Sequence, residues 1–169
     1  MVATWLNPDG LYKKFGTLKT VPNTGGEYRN YGGLREIELT VTLVGLTTSP
    51  VVQNDEVFYP IGMQLQEVET EVQTAAVGGT SLSMGLMSTD RTTVTGNGLS
   101  NTFFLSAVVI ADQTPVGKKV VYNTPAAGNI GTGVAAVNTV PGYITALAAG
   151  TYSAGVLKVR IRYYKPGTN

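Results

Sequence analysis

From Leu34 the chain alternates between apolar and polar positions. Ile37, Leu39, Val41 and Leu43 are apolar, and Glu36, Glu38, Thr40 and Thr42 lie between them. A period of two puts one set on a buried face and the other toward water, which predicts a half-buried strand. Val57-Phe58-Tyr59 then runs into Pro60, and residues 63 to 73 predict a second long strand. Its phase slips: Met63 and Leu65 share one face, Val68 and Val72 the other, and a bulge near Gln66 would reconcile them. Gly78-Gly79 predicts the turn of a hairpin into a strand in which Leu82, Met84 and Leu86 alternate with Ser81, Ser83, Gly85 and Met87.

Residues 108–111, 118–122, 143–147 and 156–164 predict further strands. The last is the most regular, with Leu157, Val159, Ile161 and Tyr163 on one face and Lys158, Arg160, Arg162 and Tyr164 on the other. Turn clusters at Gln113-Thr114-Pro115, at 125–133 and at Ala148-Ala149-Gly150 separate them. The one helix expected is short, residues 99 to 104, with Ser100 as its N-cap ahead of Phe103 and Phe104. Seven or eight strands with almost no helix predict an all-β fold, an antiparallel β-sandwich with a jelly roll preferred over an immunoglobulin-like topology. The only Trp is Trp5, outside the strands, whereas an immunoglobulin core would usually hold one.

Residues 1–33 keep neither period and are rich in Gly, Pro, Asn and Thr, yet they contain Trp5, Tyr12, Phe15, Tyr28 and Tyr31. Disordered segments are poor in aromatics, so these rings are expected to be buried against something, either the chain's own body or a neighbouring subunit. The chain thus divides into an extended, irregular N-terminal arm (1–33) and a sandwich body (34–169).

Composition narrows the chemistry. Charged residues are only 14% of the chain, against roughly 25% in an ordinary soluble domain, and Thr, Asn, Ser, Gln and Gly replace them. A net charge of +1 supplies no field to attract nucleic acid or anionic lipid. The absence of Cys removes disulfides, zinc thiolates and Cys nucleophiles. The absence of His removes the usual general base and the commonest metal ligand. No apolar stretch approaches the roughly 18 residues of a membrane span, and the N-terminus lacks the apolar core of a signal peptide. The expectation is a protein that is not an enzyme, uses no cofactor, and binds neither nucleic acid nor membrane.

Four constellations could still carry chemistry. Glu67, Glu69 and Glu71 share one strand face, as a divalent-cation site would require, but Lys158, Arg160 and Arg162 form a basic row that could neutralise them or meet a partner. Asp90-Arg91 is expected to fix a loop rather than hold a substrate, and nothing in the spacing of the acids selects a glycosidase pair. The stretch from Gly128 to Gly133 (GNIGTG) lacks the Lys-Ser/Thr ending of a P-loop and reads as a flexible loop. Tyr143 and Tyr152, if exposed, could stack on sugars.

A family resemblance rests on Trp5-Leu6-Asn7 with Asp9-Gly10-Leu11-Tyr12 and Phe15-Gly16-Thr17, then Gly26-Glu27-Tyr28-Arg29 with Tyr31-Gly32, then Thr89-Asp90-Arg91-Thr92-Thr93, and the terminal strand from Ala154 to Ile161. Together these resemble the small head proteins of tailed bacteriophages that decorate or cement the capsid. The resemblance implies a structural virion protein, a homotrimer on the capsid exterior, assembled in the host cytoplasm and bound to the major capsid protein. It also implies that the arm makes the contact, with Trp5, Tyr12, Phe15, Tyr28, Arg29 and Tyr31 as partner-binding candidates. The alternatives are a carbohydrate-binding jelly-roll module and a tail or fibre component.

Overall fold

The computed structural model describes residues 27–31, 34–92, 94–123 and 129–166; for 27–31 only the backbone is described. The expected all-β antiparallel fold is observed. The strands are β1 (Glu27–Tyr31), β2 (Leu34–Thr42), β3 (Val51–Val52), β4 (Phe58–Tyr59), β5 (Gln64–Gly78), β6 (Ser81–Ser88), β7 (Leu105–Val109), β8 (Lys119–Tyr122), β9 (Gly142–Ala149) and β10 (Tyr152–Tyr164).

They form two sheets. Sheet A has the order β1-β2-β10-β5-β8, and sheet B the order β3-β9-β6-β7, with β4 also paired to β9. The winding is that of one long antiparallel ribbon rolled on itself. β2 pairs β10, β3 and β4 pair β9, β5 pairs β8, and β6 pairs β7. Rolling then brings β10 against β5 and β9 against β6.

Two nearly continuous strands cross from sheet to sheet side by side, β5 into β6 and β9 into β10. Their corners are bonded to each other, Gly79 N–H to the Thr151 carbonyl at 2.8 Å and Thr80 N–H to that of Ala149 at 2.7 Å. Gly79 has a φ of +69°, and a Cβ there would lie 2.3 Å from the Tyr152 ring, so only glycine fits. The Gly78-Gly79 hairpin expectation is corrected here: the turn joins strands of different sheets. Each of them finds its long partner in the other crossing strand.

The bulge expected near Gln66 is present. Arg162 is opposite Glu67 and Tyr163 opposite Leu65, so Gln66 is left over, and both Leu65 and Val68 are buried. Between the sheets lie Ile37, Leu39 and Val41 from β2, Leu157, Val159 and Ile161 from β10, and Leu82, Met84 and Leu86 from β6. At one end Tyr59 is ringed by Phe103, Phe104 and Tyr163 at centroid distances of 5.4, 5.1 and 4.9 Å. Burial pushes its phenol far above the ordinary tyrosine range.

Three further expectations are corrected. Residues 99 to 104 form no helix: Leu86 N–H bonds the Ser100 carbonyl and Phe104 N–H that of Met84, so the segment runs along β6 and the strand takes its backbone groups. Ser100 caps a single turn, its hydroxyl accepting from Thr102 N–H at 3.1 Å. The described part of the 128–133 stretch is packed rather than flexible, since Gly131 and Gly133 N–H bond the carbonyls of Phe104 and Phe103 at 2.9 Å. A Cβ on Gly131 would lie 2.1 Å from the Thr102 carbonyl oxygen, so this glycine serves close approach. Finally, Glu27–Tyr31 is a strand within the stretch read as irregular, its five-residue pairing with β2 too short to show a period of its own.

Candidate interaction surfaces

The two outer faces of the sandwich differ in kind. Every charged residue that a strand carries belongs to sheet A; none belongs to β3, β4, β6, β7 or β9.

On sheet A the register makes an ionic ladder. Arg162 of β10 lies between Glu36 of β2 and Glu67 of β5; one step along, Arg160 lies between Glu38 and Glu69, and then Lys158 between Thr40 and Glu71. Arg160 donates from Nε to Glu38 at 2.7 Å and bonds Glu69 from Nη1, which also lies 3.3 Å from Glu71. Arg162 donates from Nε to Glu36 at 2.7 Å and bonds Glu67 from Nη1. Lys119 of β8 reaches Glu71 at 3.4 Å. A flat guanidinium on the middle strand can donate to both sides at once, which a lysine could not match.

Burial would raise the Glu38 carboxyl, but hydrogen bonding to Arg160 and the Lys158 charge outweigh it and hold it below its usual range. Glu71 is likewise lowered against its desolvation by Lys119 and Arg160. Burial opposes the Arg160 cation too, and Glu38 and Glu69 reverse the effect and raise it. The paired reading of the glutamate row is therefore the correct one. Among the described residues no acidic cluster is arranged to hold a metal ion.

An open groove of about 570 Å³ lies on this face, lined by Leu34, Glu36, Gln66, Glu67, Lys119, Arg160 and Arg162. Its two acids, Glu36 and Glu67, are both bound by Arg162.

The Asp90-Arg91 pair fixes loops, although not by pairing with itself. Asp90 accepts from Thr92 N–H at 2.9 Å and from the Ser88 hydroxyl. Arg91, at φ +62°, turns away to Asp55 at 2.7 Å and over the Tyr143 ring at 5.1 Å. Phe58 meets the same ring edge-on at 5.7 Å. Tyr152 is 2% exposed, sealed in the sheet-crossing corner, which corrects its reading as a sugar platform. Among the tyrosines whose side chains are described, only Tyr143 and Tyr164 stay partly open, and they lie on different sheets.

Of the partner-binding candidates, Trp5, Tyr12 and Phe15 lie outside the described residues. Tyr28, Arg29 and Tyr31 fall on β1 at the register positions opposite Ile37, Glu36 and Leu34. The contrast between the faces was missed in the sequence, where it is visible only once strands are assigned to sheets.

No family model matches the chain, and no curated protein does. Its fold is similar to a chain in the solved structure "Capsid of Ralstonia phage GP4", with a TM-score of 0.50 at 14% identity over 90% of this chain and 93% of that one. A chain of the "Acidic stable capsid structure of Helicobacter pylori bacteriophage KHP30" gives a TM-score of 0.47 at 16% identity, over 85% and 95%. At such identities the likeness is one of fold.

Proposed function

We propose that this chain is a structural protein of a bacteriophage virion that binds the outer surface of the capsid and cements neighbouring major capsid subunits. The observation that carries the reading is the near end-to-end correspondence of its fold with a chain of the Ralstonia phage GP4 capsid structure. Supporting it are a body without His or Cys, an ionic face whose charges are spent on one another, and a second sheet without charge. The rolled ribbon, which we read as a jelly roll, crosses itself at a bonded corner and is suited to bearing load. A cement needs many modest, shape-matched contacts and no chemistry.

Electron microscopy with mass spectrometry of purified particles tests the reading. The expected result is the chain in stoichiometric amounts, as density outside the capsid shell. Its absence from particles would overturn the proposal; a position inside the shell or on the tail would overturn the cement role.

A further inference from the structure

Four large apolar side chains lie exposed in the connection between β2 and β5: Val44 (51%), Val51 (39%), Phe58 (43%) and Ile61 (54%). Topology places them along one side of the molecule. Because β5 continues into β6 and β10 follows β9, the two sheets run in the same sense, and β3 and β4 lie on the side that β1 and β2 close. Val44 follows the end of β2, Val51 is opposite Ala146, Phe58 is opposite Tyr143, and Ile61 sits in the turn before β5. They therefore run the height of the sandwich, from the end where β2 finishes to the end where it begins. Of the two acids in this stretch, Asp55 is bound to Arg91.

The first described residue, Glu27, opens β1 on this side. Glu27 is opposite Glu38 and β1 runs antiparallel to β2, so residues 1–26 enter β1 from the end that carries Val44. Trp5, Leu6, Leu11, Tyr12 and Phe15 are concentrated within residues 5–15. The stretch 16–26 can extend about 36 Å, more than the roughly 25 Å height of an eight-residue strand such as β9. That is enough to carry residues 5–15 past the end of their own body.

We propose that the stripe of Val44, Val51, Phe58 and Ile61 is the docking site for residues 5–15 of a second copy of this chain. An extended segment of 11 residues is long enough to cover the roughly 25 Å height of the stripe, and its apolar side chains match it in kind. Each copy offers one arm and one stripe, so the exchange is heterologous and closes into a ring when every arm is received. The inference concerns copies of this chain alone and stands apart from the virion reading, which is tested on particles.

Trp5 is the only tryptophan, so its fluorescence reports on the arm. The experiment measures Trp5 emission and light-scattering mass of the full chain across a dilution series. Variants are the double substitution Phe58→Asp with Ile61→Asp, the arm double Tyr12→Ser with Phe15→Ser, and a control, Val121→Asp, on the opposite edge strand β8. The expected result is an emission that moves to the blue with rising concentration, in step with mass. The stripe variant should keep the mass of one chain and a water-exposed Trp5, with an unchanged far-ultraviolet circular dichroism spectrum, and the control should match the parent. The arm variant leaves the body untouched and should raise the concentration of half-association at least about tenfold, as expected from the apolar area lost. A blue-shifted Trp5 in a concentration-independent monomer would overturn the proposal in favour of docking on the chain's own body. An oligomer that survives both double variants would place the contact between copies elsewhere.

Discussion

Arg160 bridges β2 to β5 through Glu38 and Glu69, and its side chain is only 17% exposed. Replacing it with methionine keeps the stem but removes the guanidinium, leaving half-buried carboxylates short of their cation. A loss of roughly 2–4 kcal/mol is expected in urea unfolding, since breaking one side of a buried network costs more than the network contributes net. Adding Glu38→Gln and Glu69→Gln to Arg160→Met should recover part of that loss, which a double-mutant cycle would read. The same ladder sets an acid limit. Glu38, faced by Lys158 and Arg160 with Glu27 at the opposing register position, and Glu71, faced by Lys119 and Arg160, have folded pKa values below their unfolded ones. A depressed carboxyl contributes stability that is fully present above its unfolded pKa, about 4.5, and lost as pH falls through the folded value. Stability should therefore decline below about pH 4.5, and Glu38→Gln should flatten that decline in denaturation curves taken from pH 6 downward.

At the scale of elements, how much was legible depended on whether a strand paired locally or through the roll. β2 and β10 alternate so cleanly that their buried faces could be named from spacing alone, and the phase slip between Leu65 and Val68 located the Gln66 bulge. Deleting Gln66 leaves Leu65 and Val68 two positions apart, on one face of an unbroken ladder, so the thermal midpoint should shift by no more than a few degrees, which calorimetry would record. β6 was harder. Ser83, Gly85 and Met87 looked solvent-facing by period, yet they are buried, because the segment leading to Phe103 and Phe104 crosses over Gly85. Such cover comes from residues distant in sequence and leaves no periodic trace. Gly85→Ala tests it: the new Cβ would lie 2.1 Å from the Ser100 carbonyl oxygen, so a loss above about 2 kcal/mol is expected. Gly45 has open space around it and only a positive φ, and alanine there should cost about 1 kcal/mol. Pairing also hid β3 and β4: two residues each carry no pattern, and they exist as strands because β9 has an edge to offer.

For the whole molecule, what matters is that the strand-borne charges all lie on one sheet, and that the glutamates of β2 and β5 among the described side chains are paired there with Arg160 and Arg162. Arg160 and Arg162 bond the glutamates of β2 and β5, net charge is +1, and no strand of sheet B carries a charge. A partner gripping sheet A would have to displace those internal bonds, whereas one meeting sheet B or the β3 and β4 edge would bury Phe58, Tyr143 and their neighbours without desolvating a strand-borne charge. The difference is measurable because salt screens one kind of contact and strengthens the other. Between about 0.05 and 1 M NaCl the screening length shrinks from more than 10 Å to about 3 Å, which would release a complex held by long-range charge. On the proposed virion reading, co-sedimentation with stripped particles should therefore change little over that range, and sulfate should tighten it. Release by moderate NaCl would instead place the contact on the ionic face, with Lys119, 56% exposed at its margin, as the first residue to substitute.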